Sequence, residues 1–394
     1  MTWDNTFFGE CAELIKDTVQ PSDVLGLPYI GLEHISQGQL SLLGFGKSDD
    51  VISAKSRFRK GDILFGKLRP YFRKVIIAPF DGVCSTDIWV VRAKQNIDQK
   101  FLFYRMASED FVETSSRASE GTKMPRAQWE FVERIQQQIP STPEQRAIAG
   151  ILGGLDDKIE LNRHMNVTLE SMARAVFRQW FVENEEAKYW DEIEVGKFAD
   201  VIDCMHTKKP DRQSEGKPLI QLWNILDNGL LDMKDTYFIS EERYKHWVSR
   251  IEASPGDCII TNTGRVAATA QIPEGYKAAL GRNMTGIRCK KEYPYPTFLI
   301  ECLSSDAMRQ EIDRKTDVGT ILDSLNVRNI PTLRFRLPNH KLLGKYEDLA
   351  RPIRAMMEKN LAQSRTLASL RDGLLPKVMR GEVRVKEGQN EFLF

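Results

Sequence analysis

The residues best suited to chemistry sit in one short stretch. Positions 55–74, KSRFRKGDILFGKLRPYFRK, carry eight cations: Lys55, Arg57, Arg59, Lys60, Lys67, Arg69, Arg73 and Lys74. Asp62 is the single acid, in a chain of 394 residues whose net charge is only +1. Phe58, Phe65, Tyr71 and Phe72 are interleaved among the cations. Lysine and arginine neutralise phosphates, and the arginine fork also reads guanine edges. The window is therefore a candidate DNA contact, with Lys67, Arg69, Tyr71, Arg73 and Lys74 as its contacting residues and Lys123 and Arg126 as downstream additions. The bland alternative is a solvated strand face whose aromatics point into a core.

Catalytic signatures are weak. SLLGFGKS (Ser41–Ser48) approaches a phosphate-binding loop, but Ser41 stands where the first glycine belongs. PDRQSEGK (Pro210–Lys217) approaches a nuclease pattern, yet Asp211 and Glu215 are too close in sequence to lie on adjacent strands as metal ligands. No NPPY-type stretch is present to hold a flipped adenine. His34, His164, His206, His246 and His340 are scattered, without an HExxH or triad pattern. Cys11, Cys84, Cys204, Cys258, Cys289 and Cys302 form no CxxC pair, so free thiols in a reducing cytoplasm are expected and no metal site. No apolar run of about 18 residues indicates a membrane span, and the N-terminus does not read as a secretory signal.

The elements that would position these residues occur twice. Gly121 and Gly319, Ile139 and Leu337, and Phe101 and Leu299 head matching pairs, each 198 positions apart. Arg59–Ile63 pairs with Ser254–Cys258 at an offset of 195, and Tyr29–Leu32 with Leu219–Leu222 at 190. A fixed order with a drifting offset is what loop insertions in one copy of a duplicated unit produce. In each half, short apolar runs broken by Gly, Pro, Asn and Asp give strand and turn signals. The second copy of the basic window is GDCIITNTGRVAATAQ, far less basic. It offers Thr261, Asn262, Thr263 and Arg265, followed by Arg282 and Asn283, which are polar groups of the kind that contact phosphates and base edges.

A long periodic segment follows each mixed region. The first places Ile148, Leu152, Leu155, Ile159, Asn162, Asn166, Leu169, Ala173, Val176 and Trp180 on one stripe. Pro143 stands at its front, where a first-turn proline is tolerated. The second, weaker stripe is Tyr346, Ala350, Ile353, Met357, Asn360, Ser364, Leu367, Arg371, Leu374 and Val378, with Pro352 expected to start or kink it. Leu152, Leu155, Ile159, Asn162, Leu169, Val176, Ile353, Met357, Asn360, Leu367 and Leu374 are the expected seam. Asn162 and Asn360 occupy equivalent places, and both a register-fixing contact and a solvent-facing position fit the pattern.

Three stretches carry a family resemblance. ARAVFRQWFVENE (Ala173–Glu185), LRDGLLPKVMRGEVRV (Leu370–Val385) and PEQRAIAGILGGLDDKIELN (Pro143–Asn162) resemble the helix segments of type I restriction–modification specificity subunits. The resemblance implies an α+β chain with two α/β target-recognition domains in tandem, separated by two long antiparallel coiled-coil helices related by a pseudo-two-fold axis. The expected division is 1–142 and 186–341 for the recognition domains, with helices at 143–185 and 342–394. It implies a non-catalytic, cytoplasmic prokaryotic subunit that reads a bipartite, asymmetric double-stranded DNA target. Its partners would be two adenine methyltransferase subunits and a separate motor–nuclease subunit, and it would bind neither ATP nor the methyl donor itself. A reading from another class stays open: an adaptor that uses the coiled coil to grip protein partners without DNA.

Overall fold

The computed structural model describes residues 3–117, 124–317, 319 and 323–385. The chain is α+β and divides into two compact units. One combines the residues up to Ile159 with those from Thr366 onward, and the other runs from Glu160 to Arg365.

In the first unit an antiparallel four-stranded sheet has the order Ala12–Leu14, Ile88–Ala93, Ile63–Gly66, Val75–Ile77. The runs ILFG and IWVV are apolar throughout because both faces of this sheet are covered. Ile63, Phe65, Trp89 and Val91 pack on the helix Gln99–Ala107 in one core. Leu64, Ile88 and Val90 point the other way, to Ile30, Phe58 and Ile76. That alternation is the period-two geometry of a strand. A second sheet pairs Pro28–Ile30 in parallel with Gly82–Cys84. The helix Gln99–Ala107 starts where the Asp98 carboxylate accepts the Phe101 amide at 2.9 Å.

The second unit has the same strand order: Ala199–Asp203, Met284–Cys289, Cys258–Thr261, Thr269–Gln271. Its central strands again alternate between two cores, Cys258 and Ile260 to one and Ile259 to the other. Lys217–Ile220 pairs in parallel with Ala279–Leu280. The helices Pro296–Ser304 and Asp306–Lys315 stand where the first unit has Gln99–Ala107 and Glu109–Arg117.

Two long helices pass through both units. The first is Thr142–Phe177, continued by a π-helical turn at Arg178–Val182. The second is His340–Met379. It begins ahead of the expected 342 and does not start at Pro352, which lies within it, on an exposed position. The true start signal is Asn339, whose side-chain oxygen accepts the Leu342 amide at 2.9 Å and caps the helix. Tyr346, Ala350 and Arg354 are buried around Pro352, so packing outweighs the one backbone bond a proline forfeits. No residue of either expected stripe is exposed. Leu152, Leu155, Asn162, Met357, Asn360 and Leu367 are buried, and Ile159, Leu169, Val176, Ile353 and Leu374 are half-buried. Among the described residues no helix is long and apolar enough to cross a membrane.

Candidate nucleic-acid interface

The basic window folds as two strands and the turn that leaves them. Lys55–Phe58 and Ile63–Gly66 are strands, and a 3-10 turn at Pro70–Phe72 leads into Val75–Ile77. Backbone bonds pin the turn. Gly66 donates to Lys74 O at 2.8 Å, Lys67 to Asp87 O at 2.9 Å and Arg69 to Pro125 O at 2.8 Å. Ala127 donates to Lys67 O at 2.9 Å, and Arg73 to Pro70 O at 2.8 Å. Arg69 and Arg73, at the two ends of the turn, both adopt left-handed backbone, with φ of 51° and 49°.

The second unit builds its loop on the same frame. Thr261 donates to Ala268 O at 3.0 Å, Asn262 to Asn283 O at 2.8 Å, and Leu325 to Asn262 O at 2.8 Å. Leu68 bridges Arg126 in the first unit, and Thr263 bridges Ser324 in the second. Position for position, Lys67 matches Asn262, Arg69 matches Gly264 and Asp87 matches Asn283. The loop again holds left-handed residues, Gly264 at φ 86° and Ala267 at φ 61°. An arginine clamped onto a buried aspartate is matched too. Arg92 grips Asp62 at 2.6 and 2.9 Å, and Arg288 grips Asp257 at 2.8 and 2.5 Å.

On this shared frame the expected contact residues divide into two groups. Some are already committed inside the fold. Arg73 donates to Ala107 O at 2.6 Å and to the Asp372 carboxylate at 3.2 Å. Lys74 donates to Leu32 O at 2.5 Å. Arg126 grips Asp87 at 2.8 and 3.2 Å while staying exposed. Arg265 donates to Ile225 O at 2.5 Å and also pairs with Asp227. Thr263 meets Ser324 at 3.3 Å. The roles of Thr261 and Asn262 need correction. Both are buried. Thr261 bonds the Arg265 carbonyl and the Ala268 amide, while Asn262 donates to Leu325 O at 3.2 Å and accepts from Thr285 at 3.0 Å. They hold the loop together from within, and their burial keeps them from a ligand at the surface.

The other group is uncommitted. Among the described residues, the side chains of Lys67, Arg69, Arg282 and Asn283 have no hydrogen-bond or ion-pair partner. Lys67, Arg69 and Asn283 are half-buried and Arg282 is exposed. Tyr71 stands 53% exposed on the turn, its ring edge-on to Phe72. Lys123 lies outside the described residues.

No reactive thiol accompanies these loops. Burial pushes Cys289 and Cys302 up to about 12, and it raises Cys11, Cys84, Cys204 and Cys258 as well. Thiols held that high carry almost no thiolate at neutral pH. His206, isolated in sequence, does find partners. Ligand atoms of Asp203, Cys204 and His206 lie within 4.8 Å of one another. Asp203 already holds His206 at 2.8 Å and Arg250 at 3.3 Å, so the group is an internal ion cluster.

Comparison with known proteins gives a consistent answer. The MjaIX type I restriction enzyme specificity subunit of Methanocaldococcus jannaschii is 23% identical over 390 residues, covering 94% of this chain and 87% of that one. The EcoDI specificity subunit of Escherichia coli is 32% identical over 200 residues, 47% of this chain and 44% of its own length. The family model described as the type I restriction modification DNA specificity domain matches residues 3–171. The chain is thus similar to type I specificity subunits, with residues 3–171 matching that family's model. A solved specificity-family structure, the type I restriction-modification S subunit from M. genitalium, shares the fold. It aligns over 95% of this chain and 96% of its own, with a TM-score of 0.58 at 14% identity.

Proposed function

We propose that this chain is the DNA-recognition subunit of a type I restriction–modification assembly and that each unit reads one half of a split double-stranded target. The observation that carries this reading is one loop frame built twice with different side chains on it. Lys67, Arg69 and Tyr71 stand on the first, and Gly264, Arg282 and Asn283 on or beside the second. Equal frames with unequal side chains suit two readers of unequal sequences, hence an asymmetric target.

The chain itself supplies no chemistry in this reading. Catalysis comes from two adenine methyltransferase subunits, with a motor–nuclease subunit as the restricting partner, all in the prokaryotic cytoplasm. The long helices act as an antiparallel coiled-coil spacer under pseudo-two-fold symmetry and as the docking surface. Leu161, Val167, Met172, Leu349, Met356 and Leu370 support the docking role, since each is a large apolar side chain left exposed on these helices. Exposed apolar side chains recurring along both helices fit a docking role.

The test is co-expression with type I methyltransferase subunits in a host lacking adenine methylation, followed by mapping of methylated adenines. One split motif that appears only with this chain is the expected result. Stable association with protein partners and no chain-dependent methylation would favour the adaptor reading.

A further inference from the structure

We propose that Arg69 is the guanine-reading residue of the first unit, presented by a left-handed backbone position that the second unit fills with Gly264. This rests on the reading that the first unit binds DNA, and it names the residue and the base.

Three observations converge on Arg69. The first is the backbone. Side chains clash with the carbonyl in left-handed conformation, so such positions normally fall to glycine. The frame demands that conformation, and Gly264 meets the demand without strain at φ 86°. Arg69 meets it at φ 51° and bears a side chain there. Strain of this kind persists where surrounding structure over-determines the conformation, and it gathers at functional positions. Here the Arg69 amide is fixed to Pro125 O at 2.8 Å and its carbonyl accepts from Phe72 at 3.0 Å.

The second observation is commitment. Arg73, equally left-handed, spends its guanidinium on Ala107 O and Asp372, so its strain has an internal use. Lys74 and Arg126 are bonded internally as well. Among the described residues Arg69 has no such partner. A strained arginine with no internal partner is one whose use lies outside the chain.

The third is chemistry. Arginine is the residue that binds guanine O6 and N7 in two parallel bonds in the major groove. The pinned turn fixes where the Arg69 side chain leaves the backbone, and its fork is free to make a two-bond contact. Lys67, the other uncommitted cation of this loop, has no fork and suits a phosphate.

The experiment uses the methyltransferase complex with wild-type chain, Arg69→Gly and Arg69→Lys, scored by methylation across a genome and by thermal melting of each purified complex. Wild-type complex that methylates no split motif would undo the functional reading itself, before Arg69 is reached. Given a wild-type motif, Arg69→Gly should lose preference for guanine at one position of one half-site by roughly 5- to 150-fold. The other half-site should be unaltered, and the complex should melt no lower than wild type. Arg69→Lys keeps the charge and should relax the same position. Unchanged base preference in Arg69→Gly would overturn the proposal, as would a lowered melting temperature with the motif intact. Full guanine preference with lysine would overturn the two-bond contact, because lysine has no fork.

Discussion

Arg371 donates to the Asp156 carboxylate at 2.6 Å, joining the end of one long helix to the start of the other within the first unit. Arg371 is 2% exposed. Burial would weaken its charge, but the Asp156 and Asp372 carboxylates beside it outweigh that and hold it protonated. Tyr104 donates to the second oxygen of Asp156 at 2.6 Å, so the acid is shared between the helix pair and the recognition fold. Removing Arg371 leaves the mostly buried Asp156 carboxylate without its cation, held only by the Tyr104 hydroxyl.

Arg371→Ala is therefore expected to destabilise the first unit by about 3–5 kcal/mol, while replacing both Arg371 and Asp156 by leucine or methionine should cost much less. Denaturant unfolding of the purified chain checks this. A single variant no worse than the double would mean that the pair is not the anchor described.

In the second unit the helices are joined by polar bonds. Asn360 donates to Asn166 at 2.9 Å, and Asn162 donates to Gln363 at 2.9 Å and to Ser364 at 3.2 Å. Asn360→Ala is expected to cost about 1–3 kcal/mol by orphaning the Asn166 oxygen. Thermal melting that matches wild type would show that water replaces the lost donor without penalty.

The apolar stripe was legible in sequence because a helix repeats its facing every three to four residues, and the stripe's residues lie buried or half-buried. Arg371 fell on that stripe, but its partner Asp156 could not be read, since it lies 215 positions away in the chain. The sequence left Asn162 either in contact with Asn360 or in water. In the structure its amide reaches Gln363, Ser364 and the Asn360 carbonyl, while the Asn360 side chain goes to Asn166. The basic window was visible as composition. Which of its cations were free was not, because the acceptors that bind Arg73 and Lys74 are backbone carbonyls of Ala107 and Leu32, and any residue type supplies a carbonyl. Thr261 and Asn262 misled for a related reason: small polar side chains that suit DNA edges are the same ones that tie a turn.

That division yields a salt-series prediction. Lys67→Ala should lower the slope of log affinity against log salt by about one, as expected for a single phosphate contact. Arg73→Ala and Lys74→Ala should lower the melting temperature and leave the slope alone. DNA binding of the methyltransferase complex across a salt series decides it, and equal slope changes for all three would contradict the assignment.

Glu347 predicts a pH effect in the second unit. Its carboxylate accepts the Thr297 amide at 3.1 and 3.2 Å and the Phe298 amide at 3.2 Å, capping the helix Pro296–Ser304. Burial nevertheless raises it above the ordinary carboxylate range, against the pull of those amide bonds. A raised folded value means that the folded chain holds this proton more tightly. The stability it contributes is full below the unfolded value of about 4.3 and is lost as pH rises through the folded value. Glu347→Gln cannot titrate. The melting temperature of wild type minus that of Glu347→Gln should therefore fall between pH 4 and pH 7. A difference that rises over that range would contradict the assignment.

The central claim is that the two units read separate half-sites at a distance set by the long helices. Both helices cross from one unit to the other, after Ile159 and after Arg365. Inserting four residues at each crossing adds about one turn, roughly 6 Å, and leaves the contacts within each unit intact. Base pairs rise about 3.4 Å along the duplex, so the gap should lengthen by up to about two base pairs. Mapping methylated adenines made by the complex with this variant measures both half-sites and the gap at once. The account predicts the same two half-sites with a longer gap, and altered half-site bases with an unaltered gap would contradict it.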